Sequence, residues 1–195
     1  MLITQSFEVD QPVDNVWTFF ENIPLVAACL PGANLNDQVG DEYQGGIIIS
    51  AGPVKLEFAG SARVKERDDA RKVLVLDAGG ADKKGRGAAK ALLTCSLKSL
   101  GTSTKVTIAM DLTISGQAAQ YARGGLVEDV TGVLISQTAE SMRARMTAIA
   151  EGRDPMAVGS PKAASGLSIG LTAFARAAKR VFARFFLPYH PSPSR

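Results

Sequence analysis

The chain has 195 residues, of which 46% are hydrophobic and 21% charged, and its formal net charge is +3. Two cysteines are too few for a disulfide framework or a structural zinc site, no run of about 18 apolar residues predicts a membrane-spanning helix, and the N-terminus lacks the features of an export signal. The charge is distributed unevenly: residues 155–195 contain six lysines and arginines and no acidic residue, so residues 1–154 carry a net charge of −3. We therefore expect a cytoplasmic protein with a mildly acidic body of one domain and a cationic C-terminal segment.

Most of the first 115 residues show the alternating pattern of β-strands. In 54–64 and 104–114 every second residue is apolar or small, which predicts an antiparallel sheet with one face on a core and the other in water. Weaker alternation between Gly, Asp and Asn turn signals predicts further strands. These further strands are 2–9, 42–50, 71–78 and 88–98.

Two short helices are predicted near the N-terminus and one long helix after the strands. Pro12 suits the first turn of a helix, Pro24 the start of a second, and Pro31-Gly32 its end. From Gln117 to about Ala150 apolar residues recur with helical spacing. A sheet with one apolar face and a helix with an apolar stripe pack well when the sheet curls around the helix. The sequence thus predicts an α+β protein of the helix-grip fold, with room for a cavity between sheet and helix.

The predicted elements divide the chain into four parts. Residues 1–151 are expected to form the helix-grip domain, and 152–166, which are small, polar and rich in Gly and Pro, a flexible linker. Residues 167–187 are expected to form an amphipathic helix, and 188–195 a disordered end.

The segment 167–187 separates apolar and basic residues onto opposite faces of a helix drawn at 100° per residue. A face with phenylalanines opposite a cationic face is typical of a helix that lies among lipid headgroups. We interpret the segment as a device for peripheral attachment to anionic membrane lipids, with packing on the core or on a partner protein as the alternative. Nucleic-acid binding is disfavoured because stacking platforms and base-reading polar residues are missing. The residues expected to contact the membrane are Leu171, Phe174, Arg176, Lys179, Arg180, Val181, Phe182, Arg184, Phe185 and Phe186.

Side chains suited to catalysis are scarce. The single histidine, His190, follows the predicted C-terminal helix, which excludes a Ser-His-Asp, Cys-His or histidine-containing metal site in the body. Cys29 and Cys95 fall in apolar runs and are predicted to be buried. The stretch 79–87 lacks the spacing of a phosphate-binding loop and is predicted to be a tight hairpin with a solvated basic tip. We expect no catalytic residue, no metal and no covalent cofactor.

Several short motifs resemble one known family. They are, in chain order, Ala28-Cys29-Leu30-Pro31-Gly32-Ala33, Gly52-Pro53-Val54, Phe58-Ala59-Gly60, Asp68, Gly79-Gly80-Ala81-Asp82, Gly85-Arg86-Gly87 and Gly116-Gln117-Ala118-Ala119-Gln120. Over roughly residues 1–150 the chain resembles the CoxG family of carbon monoxide dehydrogenase subunits, which belongs to the START/Bet v 1-like (SRPBCC) superfamily. The resemblance implies the helix-grip fold and an accessory role to a molybdenum-containing carbon monoxide dehydrogenase or related hydroxylase. It also implies recruitment of that enzyme to the inner face of the cell membrane.

The residues predicted to face inward are almost all apolar. From sequence alone they fit a filled core as well as a cavity for a hydrophobic ligand, and the resemblance favours the cavity. We hypothesise that the ligand is a membrane quinone for electron transfer, or a lipid. The chain combines a predicted membrane-binding segment with an apolar cavity, and the enzyme class implied by the resemblance must pass on electrons. The residues expected to bind it are Trp17, Phe20, Leu30, Phe58, Leu93, Ile108, Met110, Leu112, Tyr121, Leu126, Val130, Val133 and Leu134.

Two other functions stay open at this point. One is a small enzyme of the polyketide-cyclase kind, for which Tyr121, Gln5 or Arg123 would have to supply polar groups in the cavity. The other is a free lipid carrier that has no protein partner. Copurification of a molybdenum hydroxylase would separate the accessory role from the free carrier.

Overall fold

The computed structural model describes residues 1–51, 54–122 and 126–161, with the side chains of these residues except at 51, 54, 121, 122 and 126. The predicted helix 167–187, the predicted end 188–195 and most of the second half of the predicted linker lie outside the described residues. The elements are β1 (Leu2–Val9), α1 (Val13–Glu21), α2 (Ile23–Cys29), β2 (Ala33–Val39), β3 (Glu42–Ala51), β4 (Val54–Asp68), β5 (Val73–Asp82), β6 (Gly87–Ser99), β7 (Thr104–Gly116), a first 3₁₀ helix (Gln117–Ala122), α3 (Leu126–Ala150) and a second 3₁₀ helix (Pro155–Ala157).

The seven strands of the described residues form an antiparallel sheet in the order β1-β7-β6-β5-β4-β3-β2. From β2 to β7 each strand pairs with the next one in the chain, and β1 adds to the far side of β7, with Leu2 opposite Asp111 and Val9 opposite Thr104. The sheet curls around α3, which packs against β1 and α2. The predicted α+β helix-grip fold is confirmed.

The main hydrophobic core lies at the end of the sheet where β7 begins. Helix α1 closes this end with four buried side chains, and α3 adds Met142 and Met146 from its second half. The indole Nε1 of Trp17 donates a hydrogen bond to the Asp69 carboxylate at 3.1 Å, which satisfies its polar edge while the ring stays buried. The buried residues of α1 are Val16, Trp17, Phe19 and Phe20.

Both cysteines are buried free thiols, as predicted. Burial raises the pKa of the Cys29 thiol, and it raises the pKa of the Cys95 thiol to about 12. Because the thiolate is the reactive form, neither side chain is poised as a nucleophile in the folded body.

Three boundaries differ from the sequence prediction. Strand β2 was not predicted, because Ala33–Val39 form a sheet edge whose residues after the first are exposed and show no alternation. Residues Gly79–Asp82, predicted to belong to the hairpin turn, continue β5, and the turn is confined to 83–86. The predicted long helix starts as the first 3₁₀ helix, and α3 itself begins at Leu126.

Candidate ligand-binding cavity

A cavity of about 410 Å³ lies between the concave face of the sheet and the N-terminal half of α3. It occupies the end of the sheet where β7 ends, opposite the main hydrophobic core. Residues of β1 and of β3 to β7 form its floor and walls, α2 and β2 close one side, and α3 covers it. Sites for small molecules have volumes of about 300–1,000 Å³, so the cavity is large enough to hold one.

The floor of the cavity carries no side chain larger than a methyl group. Strand pairing aligns its six residues in two adjacent rows across β4, β5 and β6. Neighbouring strands are about 4.8 Å apart and residues on one face about 6.8 Å apart along a strand, so the patch measures about 10 by 7 Å. We call it the small-residue floor. Its residues are Gly60, Ala62, Ala78, Gly80, Ala89 and Ala91.

Glycine is required in the floor by close approach of neighbouring backbones. A Cβ added to Gly60 would lie 1.9 Å from the Gly79 carbonyl oxygen, and one added to Gly80 would lie 2.9 Å from that of Ala59. The same holds for Gly45, opposite Gly60 on β3, where the added atom would meet a backbone oxygen at 2.2 Å. A side chain at these positions would push the strands apart. The curvature that encloses the cavity therefore depends on this glycine row.

The walls consist of larger apolar side chains, and they include most of the predicted ligand-binding residues. The helix contributes to the wall from its first three turns, and the sheet from β4, β6 and β7. The predicted residues that line the cavity are Leu30, Phe58, Leu93, Ile108, Met110, Leu112, Val130 and Leu134.

Three of the other predicted ligand-binding residues do not line the cavity. The structure places Trp17 and Phe20 in the main core, because α1 packs across the opposite end of the sheet. Val133 packs beside Val130 on α3 without lining the cavity. The side chains of Tyr121 and Leu126 lie outside the described residues.

Five polar side chains from the described part of the chain line the cavity. Sequence analysis named Gln5 as a cavity residue only for the polyketide-cyclase alternative and did not name the other four. Gln5 is placed there by the alternation of β1, whereas the others depend on how β2, β3, β4 and α3 meet. Among the described lining residues none is a carboxylate, histidine, cysteine, lysine or arginine. The site can therefore offer amide and hydroxyl hydrogen bonds to a neutral molecule. The polar residues are Gln5, Asn34, Tyr43, Ser61 and Thr131.

An ion pair between a buried carboxylate and a half-buried guanidinium holds the end of the cavity near the 83–86 turn. The Asp82 carboxylate is 3% exposed and accepts from Arg86 Nε at 2.7 Å and Nη2 at 2.8 Å, and from the Glu57 backbone N–H at 3.1 Å. Arg86 Nη2 also donates to the Lys55 carbonyl at 2.7 Å, and the Arg86 carbonyl accepts from the N–H of Ala118, which lines the cavity. The pair thus joins β4, the hairpin turn and the first 3₁₀ helix.

The prediction of a solvated basic tip is therefore wrong for Arg86. Its guanidinium is engaged by Asp82 because the turn folds back onto the start of β4. Lys84, by contrast, is exposed in the turn.

The profile of the CoxG family of carbon monoxide dehydrogenase subunits matches residues 6–147. The chain belongs to this family. The match covers the whole described sheet from within β1 onward and most of α3, so the predicted family membership is confirmed. None of the helices in the described part of this CoxG family protein is long and apolar enough to cross a membrane. Among curated protein sequences, none matches the chain significantly.

Solved structures of similar fold agree with the family assignment. A conserved protein from Geobacillus kaustophilus superposes with a TM-score of 0.66 at 20% identity, over 75% of this chain and 95% of that chain. A START superfamily protein from Mycobacterium smegmatis gives 0.53 at 14% identity, over 76% and 98% of the two chains. A protein from Thermus thermophilus gives 0.55 at 11% identity, over 76% and 99%. These likenesses establish the START-like fold of the CoxG family protein.

Several of the motifs that resemble the family line the cavity or hold one end of it. The stretch Ala28–Ala33 connects α2 to β2 and places Leu30 on the cavity wall. The Phe58-Ala59-Gly60 motif supplies wall and floor, and the paired residues Asp82 and Arg86 hold one end. These motifs of the CoxG family protein therefore contribute to its cavity.

Asp82→Asn is expected to destabilise the protein at pH 7 and to make its melting temperature depend less on pH under acidic conditions. The hydrogen-bonded guanidinium of Arg86 holds the pKa of Asp82 well below its usual range. Since this pKa is lower in the folded state, the pair contributes stability above the usual Asp pKa of about 3.9, and that contribution is lost as pH falls through the folded-state value. The variant should melt several degrees lower than wild type at pH 7, and its melting temperature should fall less steeply on acidification.

Thermal unfolding followed by circular dichroism between pH 7 and pH 2 measures this effect. Asp77→Asn is the matched control, because Asp77 is exposed and forms a surface pair with Lys65 at 3.5 Å. An Asp82→Asn protein that melts like wild type at pH 7 would contradict a structural role for the pair.

Proposed function

We propose that this CoxG family protein is a non-catalytic accessory protein that binds a hydrophobic ligand and attaches a carbon monoxide dehydrogenase-type molybdenum hydroxylase to the cytoplasmic membrane. The observation that carries the proposal is the apolar cavity of about 410 Å³ between sheet and helix. Its walls suit a hydrophobic molecule, since transfer of apolar surface out of water is favourable in proportion to the area buried. The family name supports a carbon monoxide dehydrogenase as the partner.

The ligand that we propose is a membrane quinone. A planar ring fits the small-residue floor, where backbone and methyl groups leave about 10 by 7 Å free of larger side chains. The amide of Gln5 and the hydroxyl of Thr131 are hydrogen-bond donors on the lining that suit ring carbonyl oxygens. A quinone that takes up two electrons and two protons becomes a quinol, so a carrier of quinone to the hydroxylase would return its electrons to the membrane.

The cationic C-terminal segment supports the membrane part of the proposal. Phenylalanines on one face and four basic residues on the other favour peripheral and reversible binding to an anionic leaflet. The proposed location is therefore the inner face of the cell membrane, with the body in the cytoplasm and membrane lipid as a second partner.

Lipid extraction and mass spectrometry of the purified full chain test the proposed ligand. We expect an isoprenoid quinone in the extract and saturable binding when a quinone is titrated into the extracted protein. Absence of any quinone or other lipid, together with no binding on titration, would overturn the proposal. Copurification of a molybdenum hydroxylase would distinguish the accessory role from a free lipid carrier.

A further inference from the structure

A buried guanidinium on α3 joins α2 to the segment that follows α3, and these two segments also contact each other. Arg145 is 1% exposed, and its Nη1 donates to the Pro155 carbonyl at 2.5 Å. Its Nη2 donates to the Ala28 carbonyl at 3.1 Å and lies 3.5 Å from Ser160 Oγ. Among the described residues no carboxylate pairs with Arg145, so its charge is balanced by neutral oxygens alone.

Burying a charged side chain such as Arg145 lowers the stability of the folded state unless its charge is compensated. A buried charge without an ionic partner is costly, and an apolar side chain of similar volume is often as stable or more stable. The Ala28 carbonyl belongs to the last turn of α2, where it has no acceptor role within the helix, and Arg145 satisfies it. The contribution specific to arginine is therefore the simultaneous hold on two chain segments by one planar group.

The two segments connect to the two parts of the protein on which the proposed function depends, the cavity and the cationic C-terminal region. Helix α2 and the residue after it carry Ala27 and Leu30 on the cavity wall. Residues 155–160, which we call the departure segment, lead into the cationic C-terminal region. The Arg145 guanidinium lies between them and contacts both.

The junction is also incompletely satisfied. Arg145 Nε and Ser141 Oγ, one helical turn apart, are buried without a hydrogen-bond partner in the described residues. The neighbouring Cys29 thiol donates to the Leu25 carbonyl at 3.3 Å. The Ser141 hydroxyl and the Arg145 guanidinium both act on the Cys29 thiol and partly offset the rise of its pKa on burial, so the three side chains form one polar cluster between α3 and α2.

We infer that Arg145 is a positioning residue that couples the docking of the departure segment to the α2 wall of the cavity. The inference rests on the proposed function. When the cationic C-terminal region binds the membrane, the departure segment undocks and no longer holds the guanidinium. Helix α2 then becomes less firmly held, and the ligand is released faster. By reciprocity of linked equilibria, a ligand against the α2 wall strengthens docking of the departure segment.

Asp154→Ala in the full chain tests the coupling without replacing any of the residues that Arg145 contacts. The Asp154 carboxylate accepts from the Met156 N–H at 2.8 Å and holds the second 3₁₀ helix, which presents the Pro155 carbonyl. Loss of such a cap should speed hydrogen–deuterium exchange in residues 156–158 and, through Arg145, at the Val26 amide of α2, by about fivefold. Glu151→Ala is the matched control, because it removes an exposed pair with Arg153 and should leave α2 exchange unchanged.

A double variant, Asp154→Ala combined with Arg145→Lys, distinguishes coupling through Arg145 from a general loss of local stability. Arg145→Lys keeps the charge but cannot present two donors in one planar fork. In that background Asp154→Ala should no longer alter α2 exchange. Equal acceleration with and without Arg145 would overturn the inference. If Arg145→Lys fails to fold, Asp154→Ala alone can still overturn the inference, by faster exchange in 156–158 with unchanged α2 exchange.

A second experiment tests the link to the cavity. It uses 2-methyl-1,4-naphthoquinone as the probe and measures the rate of its release by stopped-flow. Asp154→Ala should release it about fivefold faster than wild type, and Glu151→Ala at the wild-type rate. Equal release by Asp154→Ala and wild type would overturn the link to the cavity. If the probe does not bind wild type, the proposed function fails, while the exchange measurements still decide whether Arg145 couples the two segments.

Discussion

Replacing Arg176, Lys179, Arg180 and Arg184 by glutamine should weaken binding of the full chain to anionic vesicles by about a thousandfold at low ionic strength. Each basic residue close to an anionic surface contributes about 1 kcal/mol, and a loss of about 4 kcal/mol corresponds to three powers of ten. The apolar face is unchanged by the substitutions and leaves residual affinity. Cosedimentation with vesicles containing phosphatidylglycerol, over a range of lipid concentrations, measures the change.

A variant of the body with the same change of charge provides the control. The four lysines Lys84, Lys90, Lys98 and Lys105 are exposed on the turn and strands, and their replacement by glutamine removes the same charge. That variant should bind nearly as well as wild type. An equal loss of affinity in both variants would assign vesicle binding to net charge and not to the segment 167–187. Unchanged binding of the first variant would contradict membrane attachment through the basic face of that segment. Added salt should reduce the difference between the two variants.

The second large effect is expected from filling the cavity. Ala91 lies in the small-residue floor, opposite Ala78 on β5 and Leu112 on β7. Ala91→Phe should weaken binding of 2-methyl-1,4-naphthoquinone by about tenfold to hundredfold, because the ring occupies the floor and a ligand forced past it meets an overpacking cost of about 1–3 kcal/mol. The melting temperature should stay at the wild-type value or rise, since the new ring enters space that is open in wild type. Isothermal titration calorimetry and thermal unfolding give both quantities.

Ala88→Phe is the control on the same strand. Ala88 lies opposite Ala81 and, by the alternation of β6, on the convex face away from the cavity. Its replacement should leave the affinity for the probe at the wild-type value. Binding of the probe to Ala91→Phe with wild-type affinity would show that the cavity is not where the molecule binds.

The fold could be predicted from the sequence because its main signals are local. The alternation in 54–64 and 104–114 marks two strands that each have one buried face, and the structure extends both only at their ends. Pro12 and Pro31-Gly32 delimit the two short helices correctly. Strand β2 had no such signal, because an exposed edge strand is stabilised by its backbone pairing with β3 and not by burial of alternate side chains.

The site was predicted less completely, because its shape depends on register between distant residues. Gly79 and Gly80 indicate a turn when considered alone, yet Gly80 is opposite Gly60, twenty residues earlier, in a strand pair whose backbones nearly touch. No spacing rule aligns these positions before the pairing is known. Trp17 and Phe20 were assigned to the ligand for a related reason: apolar periodicity shows that a helix face is buried, but not whether a core or a cavity lies under it.

Strand β1 joins the sheet through β7, and the residues that it pairs with lie about a hundred positions later in the chain. At synthesis rates of about 5–20 residues per second, this strand must wait roughly 5–20 s before its partner has been made. Hairpins β2 to β6 can assemble during that interval, since each needs only its immediate neighbour. Closure of the β1 side is therefore expected to be a late step of folding. The cationic region is translated later still, so a nascent chain acquires its proposed membrane-binding segment only after the last strand of the sheet has been made.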